Sequence, residues 1–123
     1  MSKITQKQMA FYLLWKNRKT NKEEYIPTWR FVGEIELPEL KTHVMMSYKC
    51  PTRLTDLFQE NDGLLERTMI KGKSGANYYG YRLSLFVKPE MIKDAKLKVF
   101  YERLKKGERY MLIELEMQQA QGV

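Results

Sequence analysis

The stretch Tyr48-Lys-Cys-Pro-Thr-Arg-Leu-Thr-Asp-Leu-Phe-Gln-Glu-Asn61, followed at once by Asp62-Gly63-Leu-Leu-Glu-Arg-Thr-Met-Ile-Lys71-Gly-Lys-Ser-Gly-Ala-Asn77-Tyr-Tyr-Gly-Tyr-Arg-Leu83, decides the fold of this chain. Leu54, Leu57 and Phe58 recur three and four residues apart, so they share one face of a helix. Pro51 suits the first turn, where its missing N–H would go unpaired anyway, and it biases Cys50 towards extended geometry. Asn61, Asp62 and Gly63 supply a stop. The spacing predicts a helix over 51–60. Behind it, Leu65, Arg67, Met69 and Lys71 alternate with Glu66, Thr68 and Ile70, and the run from Tyr78 to Leu85 is rich in strand formers. Gly72 to Asn77 joins the arms with residues that permit positive φ, and Lys71 and Lys73 make that turn basic. A short helix followed by a basic hairpin is the order of a recognition helix and its wing.

The polar face of the helix carries Lys49, Thr52, Arg53, Thr55, Asp56 and Gln59. Arginine and glutamine can make paired hydrogen bonds to base edges, and threonine and lysine suit phosphates. Most polar helix faces are simply solvated, and a Lys-Gly-Lys turn serves ordinary solubility equally well. On the DNA reading, Arg53 and Gln59 read bases and Thr52 and Thr55 fix register. Lys49, Lys71 and Lys73 neutralise phosphates, with Ser74 and Asn77 beside them in the turn.

Outward from this stretch, Thr5 with Gln8 resembles a capping box. It opens a helix to about Asn17 whose apolar stripe is Ala10, Phe11, Leu13, Leu14 and Trp15. Lys16 to Lys22 reads as a basic loop. In Glu23 to Ile35, Pro27 fits a helix start, with Trp29, Phe31, Val32 and Ile35 as the buried set and Gly33 allowing close approach; a strand is the alternative, since these residues also favour pleated surfaces. As a helix, 28–35 is the supporting helix of a helix-turn-helix. Glu36 to Thr42 is an acidic connection, and His43 to Tyr48 has the make-up of a short strand that can pair with the wing as the third strand of its sheet. Pro89 opens a helix from Glu90 to Lys106 ended by Gly107, and Arg109 to Met117 forms a second.

Composition frames these readings. The 123 residues suffice for one domain with a modest core. A formal net charge of +7 and a pI near 9.5 favour polyanionic partners: nucleic acid, an acidic protein or an anionic membrane surface. No apolar run approaches the ~20 residues of a membrane span, and the N-terminus lacks a signal pattern, so the chain is expected in the cytoplasm. One cysteine, Cys50, excludes an internal disulfide, and with one histidine, His43, it cannot close a zinc site. Neither metal nor cofactor is expected. Cys50 reads as a small packed residue, and the Cys50–His43 pair lacks an orienting partner for catalysis. Asp56, Glu60 and Asp62 have no second acidic cluster or histidine placed to hold a metal, so an enzyme is not expected.

Three stretches carry a resemblance: Tyr25-Ile-Pro-Thr-Trp-Arg-Phe-Val-Gly-Glu34, Met46-Ser-Tyr-Lys-Cys-Pro-Thr-Arg-Leu-Thr-Asp56 and Lys71-Gly-Lys-Ser-Gly-Ala-Asn-Tyr-Tyr-Gly-Tyr-Arg82. Together they resemble small winged helix-turn-helix proteins of bacterial phages and mobile elements. The resemblance covers about the first 85 residues and implies an α+β fold, a winged helix-turn-helix domain with a small antiparallel β-sheet over 1–86. It leaves the helices beyond unassigned, and these read as a C-terminal helical extension over 87–123 that completes the core or dimerises. It also implies a binder of double-stranded DNA, as a transcriptional regulator or accessory factor. The alternative is a protein-interaction module that docks on an acidic host protein through Tyr78, Tyr79 and Tyr81, residues that cross-strand packing would otherwise occupy.

Overall fold

The computed structural model describes residues 3–20 and 24–121. In order, the chain forms α1 (Gln6–Thr20), β1 (Ile26–Pro27), β2 (Gly33–Leu37), β3 (Thr42–Met46), α2 (Cys50–Glu60), β4 (Leu65–Lys71), β5 (Asn77–Leu83) and α3 (Ala95–Gln121). Short 3-10 turns lie at Thr28–Arg30, Pro38–Leu40 and Pro89–Met91. The class is α+β, with three helices and two small antiparallel sheets among the described residues. In one sheet β5 lies between β1 and β4; the other is the hairpin β2–β3.

Helix α1 begins with the expected reciprocal cap: the Thr5 amide donates to Gln8 Oε1 at 3.0 Å and the Gln8 amide to Thr5 Oγ1 at 3.2 Å. It continues past Asn17 to Thr20. Met9, Ala10, Phe11, Tyr12, Leu14 and Trp15 are all buried, which one face cannot achieve. Several neighbours enclose this helix, and the Phe11 ring meets Tyr101 of α3 edge-on at 5.7 Å. In α2, Cys50, Leu54 and Leu57 face inward, as the spacing requires. Its first residue is Cys50 itself, so the bias exerted by Pro51 does not hold that residue out of the helix. Asn61 does more than stop α2. Fully buried, it donates from Nδ2 to the Leu57 carbonyl at 3.1 Å and accepts at Oδ1 from the Lys93 amide at 2.7 Å. It thereby ties the end of α2 to the segment that leads into α3.

Three expectations are corrected. First, 28–35 is no helix. After one 3-10 turn, Gly33 adopts φ +102°, which interrupts any helix, and the chain proceeds as a strand. Only Phe31 of the expected set is fully buried; Trp29 and Val32 are 63% and 46% exposed. Nothing lies close to Gly33, so backbone conformation, and not close approach, requires a glycine there. Second, β3 pairs with β2, Gly33 opposite Met46 through Leu37 opposite Thr42. The third strand beside the long hairpin is β1, with Ile26 opposite Tyr81.

Third, Gly107 does not end a helix. Helix α3 runs through it to Gln121, and it starts only at Ala95, where Asp94 Oδ1 accepts from the Lys96 and Leu97 amides. The glycine serves packing instead: a Cβ at 107 would lie 2.0 Å from the Glu39 carbonyl oxygen. The turn joining β2 to β3 thus rests against the middle of α3. Under it, Glu39 is buried and accepts from the Tyr12 hydroxyl at 2.7 Å and from Lys16 Nζ. Burial pushes its carboxyl pKa up, but these two donors outweigh burial and hold it below the ordinary value; the Tyr12 hydroxyl is pushed up by the same burial and by the carboxylate.

Candidate nucleic-acid interface

On α2, Thr52, Thr55 and Gln59 are spaced three and four apart and form one row, with Thr52 and Gln59 exposed and Thr55 half-buried. Next to it lies Phe58, whose ring meets Tyr81 of β5 edge-on at 6.2 Å. This flank of α2 therefore faces the long hairpin. In register, Leu65 opposes Leu83, Arg67 opposes Tyr81, Met69 opposes Tyr79 and Lys71 opposes Asn77. These residues share one ribbon face, buried at its base and exposed towards its tip.

Arg67 occupies the join. Its guanidinium lies 4.3 Å from the Phe58 ring centroid and 4.4 Å from that of Tyr79. Two aromatic rings thus hold a cation between the helix and the ribbon, and the residue stays exposed. Sequence reading assigned Arg67 only to strand alternation. The available signal was its diagonal relation to Tyr79 in the hairpin register. Tyr81 is buried and Tyr78 half-buried, as cross-strand packing requires, whereas Tyr79 stays exposed.

At the tip, the Gly72 amide donates to the Ala76 carbonyl at 2.8 Å and Gly75 takes φ +85°. Lys71, Lys73, Ser74 and Asn77 are all exposed there. Lys49 precedes α2, also exposed, with its Nζ 6.0 Å from the Tyr48 ring centroid. Arg67 thus shares a ribbon face with Lys71 and Asn77, and Phe58 on its other side belongs to the helix that carries Thr52, Thr55 and Gln59; Lys73 and Ser74 lie in the turn beyond. Arg53 stands apart. It shares a row with Asp56 and Glu60 on the opposite flank, bonded to Asp56 at 3.0 Å, and Glu60 is held by Lys7 of α1 at 2.7 Å. A contact from Arg53 to a base competes with that carboxylate for the guanidinium.

One further cation of the hairpin is committed internally. On the far ribbon face, Arg82 donates to Glu66 at 3.1 Å and stacks 4.2 Å from the Tyr25 ring centroid. Cys50 is in the core, where burial pushes its thiol up to about 11, and His43 is exposed on β3. Among the described residues, no three His, Cys, Asp or Glu side chains gather as a metal would need, and no helix is long and apolar enough to cross a membrane. Comparison with protein-family models, with curated proteins and with solved structures yields no match.

Proposed function

We propose that the chain binds double-stranded DNA as a winged helix-turn-helix variant, acting as a regulator or accessory factor of the phage and mobile-element kind. The row Thr52, Thr55 and Gln59 enters the major groove, and the tip from Lys71 to Asn77 lies on an adjacent backbone. The observation that carries this reading is the bridge of Phe58, Arg67 and Tyr79, which holds α2, the helix of that polar row, against the basic hairpin. The order of helix, short strand, helix and hairpin, with the short strand added beside β5, supports it too. In this variant the hairpin β2–β3 stands where a supporting helix is usual.

The division of labour differs from one based on residue type alone. Gln59 reads base edges, Arg67 and the tip lysines meet phosphates, and Arg53 is secondary because Asp56 engages it.

The test is fluorescence anisotropy of a labelled random duplex at several salt concentrations. Wild-type protein binds with an affinity that falls steeply as salt rises. The double variant Lys71→Ala, Lys73→Ala binds more weakly, with a log–log salt slope shallower by roughly 1.8, about 0.9 per lost phosphate contact. Absence of saturable binding at low salt would refute the proposal.

A further inference from the structure

We infer that the outer half of α3 pairs antiparallel with the same helix of a second copy, making the protein a homodimer. The inner half of α3 turns Leu97, Phe100, Tyr101 and Leu104 into the core. Past Gly107 the character changes: Leu112, Ile113, Leu115 and Met117 are 50–57% exposed. A stretch of this length gains little helix stability by itself in water, and four large apolar side chains half-exposed within six residues leave it without packing of its own.

Charge selects both the occupant and its direction. Residues 95–109 carry six basic side chains, Lys96, Lys98, Arg103, Lys105, Lys106 and Arg109, against two acidic ones; residues 110–121 carry Glu114 and Glu116 and no base. Antiparallel pairing sets each acidic end against a basic middle, whereas parallel pairing sets like against like. The fit extends to single residues. Arg109 and Glu116 are seven apart, on one face between Leu112 and Ile113. Neither has an ion-pair partner among the described residues, in contrast to Glu108 with Lys19 and Glu114 with Lys41. A two-fold axis between positions 112 and 113 places Leu112 opposite the Ile113 of the other copy. Each Arg109 then meets a Glu116, twice, as a self-complementary two-fold interface requires. The inference does not depend on DNA binding.

Sedimentation equilibrium from about 1 to 100 µM protein tests it, with circular dichroism to verify folding. Wild-type protein is expected to dimerise. Arg109→Glu and Glu116→Arg should each weaken the dimer roughly tenfold, by turning two attractions into repulsions, and the double exchange should return it close to wild-type affinity. Leu112→Asp with Ile113→Asp should leave a folded monomer. A wild-type monomer throughout the range, a dimer indifferent to Arg109→Glu, or a double exchange no tighter than either single variant would overturn the inference.

Discussion

The two hairpins of this protein are built from similar antiparallel ladders and end in opposite circumstances. The turn of β2–β3 is pressed under α3, with Leu37 and Glu39 buried and the backbone of Glu39 against Gly107. The turn of β4–β5 stands in solvent, with Lys71, Lys73, Ser74 and Asn77 all exposed. A hairpin whose turn is anchored on a helix through Leu37 and Glu39 contributes to the core, even with Pro38 and Lys41 exposed. One whose base is packed and whose tip is free presents charge at a fixed position. The contrast assigns stability to the first hairpin and, on the function proposed above, recognition to the second.

The sharpest way to break that assignment is Gly107→Ala. Replacing a mid-helix glycine by alanine ordinarily stabilises by about 1 kcal/mol. Here the added methyl meets the Glu39 backbone, and a net loss of about 3 kcal/mol is expected in urea unfolding. A gain would mean that the first turn is not held by α3.

Glu39→Gln comes next, with an expected loss of about 2 kcal/mol at pH 7, below the usual cost of breaking a fully buried pair because Lys16 remains partly in water. The carboxyl binds its proton more weakly when folded, so its contribution is complete above the ordinary value of 4.5 and is lost as pH falls through the lowered folded value. Wild type and Glu39→Gln should therefore converge in stability on acidification. Parallel pH curves would remove the carboxylate from the account.

In the second hairpin, Arg67→Ala should cost about 1 kcal/mol of stability, since it loses two exposed ring contacts, and should weaken duplex binding. Smallest of all is the effect of Lys71→Ala with Lys73→Ala on unfolding, within about 0.5 kcal/mol. A larger loss would show that the free tip contributes to the fold.

What was legible in the sequence follows the same divide. Helix α2 and the ribbon β4–β5 are set by local periodicity, and their bounds fall within a residue or two of the reading. The run from Thr28 to Ile35 was ambiguous because its residues suit strand and helix alike; positive φ at Gly33, a backbone property, decides it. Gly107 was read as a stop because a glycine serves equally as a helix end or as room for another segment, and only the passing Glu39 distinguishes these. Of the candidate site, the exposed residues were nameable by type. Arg67 was missed because its two rings come from α2 and β5, and the ion pair that occupies Arg53 likewise depends on rotamers.

Asn61 carries one more consequence. The Lys93 amide lies in an irregular segment between the Pro89–Met91 turn and α3, where hydrogen exchange with solvent would ordinarily be fast, yet its hydrogen is bound to a side chain anchored on the last turn of α2. That single amide therefore joins the two segments: its exchange requires the bond to Asn61 to break, through opening of the end of α2 or of the segment before α3, and it can be watched while the exposed face of the same helix is altered or occupied.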